Sequence, residues 1–381
     1  RGERAVRAEA VVHRLRVRPN EITMQEKYIK HNITMTREAF GLTKAEEIEF
    51  KPEKDWKKIS EVIARNPLII KNTRLWDTRM LLKTVNQLQA IRQYYMFGDI
   101  DVDRYTLGEE YNHVMLSVRE IDLRQINSPD GNKKAGEGNW INEHLQYTHG
   151  YGVALAPVNR VASGGLPYLF VKDFPPYSEF KELAIERPQV YFGEHTKQWA
   201  LVNTKLQEID YPEGPNNALT RYQGKGGIPL SSFMRRLAFV WKFRSWDLLL
   251  TTYVTPESRI MYDRSILKIA QKIAPFLTYD SDPYPVIVGG KIFWIMDALT
   301  TSNKFPHAQT FNGLNYARNS VKVVIDAYEG KITFYVFDEK DPLIRSFSKM
   351  YPGLFRPSSE MPASIRAHVR FSEDLLLLMA E

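Results

Sequence analysis

Apolar and polar positions change period several times along the chain, and each change predicts an element. Residues 9–17, "EAVVHRLRV", read as a strand, and "PNEITMQEKYIKHNITMTREAFGL" as a helix with Ile22, Tyr28, Ile29, Ile33 and Phe40 on one side and Gly41 as its stop. A second helix is expected over 54–65. A third is expected in "TRLWDTRMLLKTVNQLQAIRQYYMF", where Leu81, Leu82, Val85, Leu88, Ile91 and Tyr95 recur at helical spacing. The stretch 1–126 is thus expected to be mainly helical. "NSPDGNKKAGEGN", 127–139, reads as an exposed loop, and 140–147 as a helix.

From 140 to 381 the pattern shortens into an α+β part. "VALAPV", "YLFVKD", "QVYFG" and "QWALVN" read as short strands separated by Pro and Gly. Residues 210–230 have the composition of a long surface loop; "SSFMRRLAFVWKFRSWDLLL" then begins a helix for which Ser231 and Ser232 are N-cap candidates. After a helix over 262–273, two hairpins are expected: "PVIVGGKIFWIM" around Gly289-Gly290, and "SVKVVIDAY" with "KITFYVFD" around Glu329-Gly330. The tail reads as short helices broken at Pro352, Pro357 and Pro362. No repeat is visible. The elements predict α+β architecture, a mostly antiparallel sheet packed with helices.

Composition narrows the chemistry. The 381 residues include no cysteine, so thiolate metal sites and thiol nucleophiles are excluded and any metal needs His or carboxylate ligands. The net charge of +7 permits attraction to anionic surfaces. Much of the excess is local, since residues 1–18 hold six arginines and two glutamates, and no basic stripe of the kind that binds nucleic acid follows. No run reaches the roughly 20 apolar residues of a membrane span. The chain opens on Arg and stops inside "SEDLLLLMAE", so both ends are expected to be cut from something longer.

Motifs of high specificity are missing: no GxxxxGK[ST], no GxSxG, no HExxH and no GxGxxG between strand and helix. "GKGG" at 224–227 reads as a phosphate-binding nest or a plain loop. His149, in "YTHGYG", is a candidate general base or a corner residue freed by Gly150 and Gly152. Asp280, Asp282 and Asp297 can be read as oxygen ligands for Ca²⁺, the one cofactor considered, or as turn carboxylates. His144 and His195 show no ligand spacing with a second histidine. "MRRLAFVWKFRSWDLLL" reads either as a helix lying on a membrane surface or as a core stripe of Phe233, Leu237, Val240 and Leu248.

Several long segments resemble, in order, the large non-membrane portion of the uncharacterised protein family 0182. Among them are "NTRLWDTRMLLKTVNQLQAIRQYYMFGDIDVDRY", "INEHLQYTHGYGVALAPVN", "GGIPLSSFMRRLAFVWKFRSWDLLL", "PVIVGGKIFWIMDALTTSNKFP" and "MPASIRAHVRFSEDLL". That resemblance runs from about Arg14 to Leu378; the loop "NKFPHAQTFNG" is a place where members differ in length. It implies a bacterial multi-pass membrane protein, with an N-terminal membrane-spanning bundle followed by this portion on the extracytoplasmic side of the cell membrane. Residues 1–8 would then lie near anionic lipid. It carries no catalytic residues over to this chain.

Three functions follow as expectations. One is a non-enzymatic domain beside its own transmembrane bundle, working in envelope assembly or transport by binding a protein partner, an envelope polymer or a substrate passed from that bundle, with Tyr147, Tyr151, Tyr284 and Trp294 as candidates for the groove. Another is a hydrolase or transferase using His149 with Asp173, Asp280 or Asp297. The third is a domain stabilised by calcium at Asp280 and Asp282.

Overall fold

The computed structural model describes residues 15, 17–46, 48–49, 59–123 and 139–380. Most of the strand expected at 9–17, the first part of the helix expected over 54–65 and nearly all of the 127–139 loop lie outside them; of the first, Leu15 and Val17 are described and are helical rather than extended.

Helix α1, Glu21–Ala39, ends at Phe40 and Gly41, whose φ of +73° is the left-handed turn expected of a glycine stop. Two short helices follow, α2 (Ile59–Arg65) and α3 (Pro67–Lys71), then α4, Thr78–Gln89, capped by Asp77, whose carboxylate accepts from the Arg79 amide. The expected third helix stops there. The chain turns, with Ile91 at a φ of +62°, into β1 (Tyr95–Phe97), β2 (Asp101–Leu107) and β3 (Glu110–Ile121). The mainly helical stretch expected over 1–126 therefore gives way to β structure at residue 95. The alternation in β2 is obscured in sequence because its inward positions, 101, 103, 105 and 107, are Asp, Asp, Tyr and Leu.

Helix α5, Asn139–Ile141, runs into one π-helical turn, Asn142–Gln146. Then come β4 (Gly150–Tyr151), β5 (Val153–Pro157), β6 (Val171–Lys172), β7 (Tyr177–Ser178), β8 (Gln189–Val190) and β9 (Ala200–Val202). Half of the expected 210–230 loop is instead a hairpin, β10 (Glu208–Glu213) with β11 (Asn216–Thr220), turning at Gly214 with a φ of +57°. β12 (Ile228–Pro229), α6 (Phe233–Phe243), α7 (Asp247–Leu250), β13 (Arg259–Met261) and α8 (Ile266–Ile273) lead to the second large sheet. It comprises β14 (Thr278–Tyr279), β15 (Tyr284–Val288), β16 (Lys291–Ser302), β17 (Tyr316–Asp326), β18 (Ile332–Val336) and β19 (Phe355–Pro357), with α9 (Pro342–Met350) between the last two. Helices α10 (Ala363–Arg366) and α11 (Glu373–Ala380) close the described chain.

One sheet has the order β1-β3-β5-β6-β7 with β2 beside β3, and is antiparallel throughout. The other has the order β14-β16-β17-β18-β19 with β15 beside β16, antiparallel except for the parallel β18–β19 pair. Both expected hairpins form, and the α+β class holds.

Alternation assigns the faces. Val114, Leu116 and Val118 of β3 meet Ile292, Trp294 and Met296 of β16 and Val321, Val323 and Ile325 of β17 in the main core. Their neighbours look the other way: Met115 packs with Leu81 and Val85 of α4, and Ile295 and Val324 pack with Met361 and Ile365 near α10. Both sheets are thus covered on two faces at these strands. A one-residue slip would exchange the two cores, so the register is strongly specified. The amide of Ile287 donates to the Tyr105 hydroxyl at 2.8 Å, tying the two sheets together.

Candidate functional site

Between the π-helical turn and β4 the chain must pass close under β3. A Cβ on Gly150 would lie 2.2 Å from the Arg119 carbonyl oxygen, and Gly152 has a φ of +69°, so both glycines are sterically required. His149, just ahead of them, is 1% exposed. Its Nδ1 donates to the Gly150 carbonyl at 2.9 Å, which leaves Nε2 without a hydrogen, 3.8 Å from Asp210 Oδ1 and without a hydrogen-bond partner. Burial, aided by the Arg264 charge and opposed by the Gly150 bond, lowers its pKa to about 4, so the ring is neutral at pH 7. The neutral imidazole belongs to a buried polar layer. Glu208 accepts from Tyr191 Oη at 2.8 Å and from the Tyr222 amide at 3.0 Å, and burial pushes its carboxyl up.

The expected partners of His149 go elsewhere. Asp173 accepts from Gln89 Nε2 at 3.3 Å. Asp280 accepts from the Asp282 amide at 3.1 Å and from the Ser372 hydroxyl, which makes it a turn carboxylate. Asp282 meets Arg370 Nη2 at 2.9 Å, and Asp297 pairs with Lys322. None of Asp173, Asp280 and Asp297 is within hydrogen-bond reach of His149. Protein cations hold Asp282 and Asp297, and among the described residues no group of three His, Asp or Glu side chains is arranged to hold a metal ion. At "GKGG" the Arg259 guanidinium takes the carbonyls of Lys225, Gly226 and Gly227, so the loop is fastened by a cation.

The densest polar cluster involves residues that the sequence did not single out. Arg370 Nη2 meets Asp101 at 3.0 Å as well as Asp282, and its guanidinium lies 3.9 Å from the centre of the Tyr284 ring. His368 Nδ1 is 2.7 Å from Asp103, and Arg104 Nη2 donates to the Val369 carbonyl at 2.6 Å. The segment 368–372 is thereby clamped to both sheets. Nearby, Glu120 accepts from the amides of Glu194, His195 and Thr196 at 2.9, 3.0 and 2.9 Å. Burial, followed by repulsion from neighbouring carboxylates, pushes Asp99 up to about 6 and Glu194 to about 10. Three of these contacts, Asp101–Arg370, Asp103–His368 and Arg104–Val369, join residues more than 250 positions apart, and no local spacing foretells them.

Nor do the four aromatic candidates form a groove. Tyr151, Tyr284 and Trp294 are buried, Trp294 donating through Nε1 to the Phe192 carbonyl at 3.0 Å, while half-buried Tyr147 packs edge-on against Tyr94. This corrects the expected binding surface: large aromatics that open a hairpin or a corner were needed inside.

The exposed tryptophans lie instead on α6 and in the turn into α7. Ser232 caps α6 by accepting from the Arg235 amide at 3.3 Å, and Arg244, with a φ of +53°, ends it and reverses the chain. Arg236 Nη2 donates to the Leu248 and Leu249 carbonyls at 2.9 and 3.1 Å, latching α7 onto α6. The inner side, Phe239, Val240 and Leu248, packs on Leu201, Leu230 and Ile260. Phe233, expected in the core stripe, is 63% exposed, with Met234 70%, Trp241 87%, Trp246 66% and Leu250 74%. At the end of α6 and the turn that follows it lies a concavity of 740 Å³ lined by Leu237, Val240, Trp241, Lys242, Arg244 and Trp246.

The architecture is therefore an α+β protein whose conspicuous exposed surface is an aromatic helical hairpin. The chain belongs to an uncharacterised protein family, UPF0182, whose family model matches residues 5–381. It is 42% identical over 374 residues to a UPF0182 protein of Desulforamulus reducens, 45% over 373 to one of Sulfurovum sp., and 42% over 373 to one of Pelotomaculum thermopropionicum. Those matches cover 96 to 98% of this chain and 39 to 40% of each relative, so the chain spans about two fifths of their length. No solved structure matches. Among the described residues no helix is long and apolar enough to cross a membrane.

Proposed function

We propose that this chain is a non-catalytic binding portion of a cell-membrane protein, carried on the extracytoplasmic side beside that protein's own transmembrane bundle. It works in envelope assembly or transport by holding a partner, a polymer or a substrate against its surface. The observation that carries this reading is a division of labour among the side chains. Asp280, Asp282 and Asp297 are engaged in holding elements together and His149 is enclosed, its Nδ1 spent on the neighbouring Gly150 carbonyl, whereas the α6–α7 hairpin leaves two tryptophans in water beside cations. Binding sites concentrate such side chains because an aromatic ring contributes large contact area at low entropic cost.

The absence of native cysteine in this chain makes the sidedness testable. Ser231, exposed at the start of α6, is replaced by cysteine in the full-length protein, and intact cells are treated with a membrane-impermeant maleimide. Labelling above the parent protein in intact cells is the expected result; labelling that appears only after lysis would overturn the extracytoplasmic assignment.

A further inference from the structure

Exposed apolar side chains occur on α1 (Ile22, Met24, Tyr28, Ile33), on α2 and α3 (Ile59, Val62, Leu68, Ile69) and on the α6–α7 hairpin. The third group differs in composition and in charge. Phe233, Leu237 and Trp241 follow one another at four-residue spacing, with Met234 beside them, so a single strip of α6 is apolar and faces away from the core that Phe239 and Val240 enter. Across the turn, Trp246 and Leu250 extend the same exposed surface onto α7.

Around this strip the charge has one sign. Residues 231–250 contain Arg235, Arg236, Lys242 and Arg244 against Asp247 alone, four cations less one anion, or a net +3. Arg236 is turned inward to the α7 carbonyls. Arg235, Lys242 and Arg244 are exposed, and none of them forms an ion pair among the described residues. Lys242 and Arg244 line the concavity together with Trp241 and Trp246. By contrast, α1 mixes signs, with Lys30 paired to Glu26 at 2.7 Å.

Tryptophans beside lysine and arginine, on a helix whose opposite face is packed, match what the boundary of a bilayer selects: rings among the headgroups and cations on the phosphates. We infer that the α6–α7 hairpin seats on a membrane surface bearing anionic phospholipid. Trp241 and Trp246 enter the headgroup layer while Lys242 and Arg244 pair with lipid phosphates. The inference rests on the reading of this hairpin as the binding surface and names what it binds.

The test is flotation of the 381-residue chain with phosphatidylcholine vesicles, with and without phosphatidylglycerol, alongside sedimentation of the chain alone. Binding to the phosphatidylglycerol vesicles, weakened by salt, is expected. Trp241→Ser with Trp246→Ser should lower partitioning about ten-fold or more on the area those rings bury. Lys242→Glu with Arg244→Glu should remove the preference for anionic lipid, at about five-fold for each charge lost. Both pairs alter exposed side chains, and an unchanged melting curve shows that the variants are folded. If no vesicle is bound but the tryptophan variants change the oligomeric state, the lipid assignment is overturned while the hairpin stands as a binding surface for a second copy. If neither vesicles nor self-association depend on the tryptophans, the lipid assignment and the hairpin's role fall together, whatever the cysteine labelling shows about sidedness.

Discussion

Asp297 on β16 and Lys322 on β17 face each other directly across the antiparallel ladder and form an ion pair with both side chains out of water. The lysine also donates to the Arg370 carbonyl at 2.9 Å, so one side chain joins two strands to the C-terminal segment. A carboxylate first considered as a metal ligand is thus the anion of a buried pair. Burial pushes its carboxyl up against the pull of the lysine, which marks how costly its desolvation is.

Lys322→Met should destabilise the fold by about 3 to 5 kcal/mol, because it leaves Asp297 buried without a cation. Adding Asp297→Leu should restore most of that loss, since a buried pair replaced by apolar groups of similar size is often neutral. Urea unfolding of the single and double variants checks this. A double variant as unstable as the single one would show that the pair contributes more than mutual neutralisation.

His149 sets a pH dependence of known sign. Its folded pKa, about 4, lies below the ordinary histidine value of 6.5, so between those values the unfolded chain binds a proton that the folded chain refuses. Stability from this residue is present above pH 6.5 and is lost as pH falls towards 4, by roughly 3 kcal/mol in total. In His149→Gln the slope of unfolding free energy against pH should flatten over that window; an unchanged slope would contradict the assignment of a neutral, enclosed imidazole.

Asp99 acts in the opposite direction. Its folded pKa is raised from 3.8 to about 6 by burial and by Asp282, so the folded chain holds a proton that the unfolded chain releases. Its stabilising contribution is present below pH 3.8 and disappears as pH rises through 6. Asp99→Asn, neutral at every pH, should therefore be more stable than the parent at pH 7 by roughly 2 to 3 kcal/mol and indistinguishable from it near pH 4. Thermal unfolding of both proteins across that range decides it, and a variant less stable at pH 7 would mean that the carboxylate is needed in its charged form.

Two tryptophans of opposite placement make a further contrast. Trp294, 1% exposed in the main core, should cost about 3 to 5 kcal/mol when replaced by alanine. Trp241, 87% exposed, should change stability by no more than about 0.5 kcal/mol. Denaturant midpoints measure both. A large loss at Trp241 would assign that ring to the fold and remove it as a surface for binding.

The legible parts of the sequence were those where compensation is local. Gly289-Gly290 and Glu329-Gly330 sit between apolar runs, and both hairpins form there; Gly41 stops α1 and Ser232 caps α6 within a few residues of the helices they bound. β2 was hidden because Asp101 and Asp103 point inward, and Arg370 and His368, which make that tolerable, arrive from the far end of the chain. The hairpin at β10–β11 was hidden by Pro212 and Gly214, which give a turn and a loop the same composition.

By itself, the sequence determined the α+β class, the antiparallel hairpins, the lack of thiol chemistry and membership of its family, because these rest on periodicity, composition and long ordered likeness. Tertiary structure alone decided which apolar faces are covered. On α6 the set Phe233, Leu237 and Trp241 competes with Phe239, Val240 and Phe243 for the core, and helical period cannot choose between two apolar faces. The same holds for the charges: whether Asp282, Asp297 and His149 meet a metal, a substrate or one another depends on partners brought from distant strands. Arg370 and Lys322 proved to be those partners for Asp282 and Asp297, whereas His149 met only the carbonyl of the neighbouring Gly150.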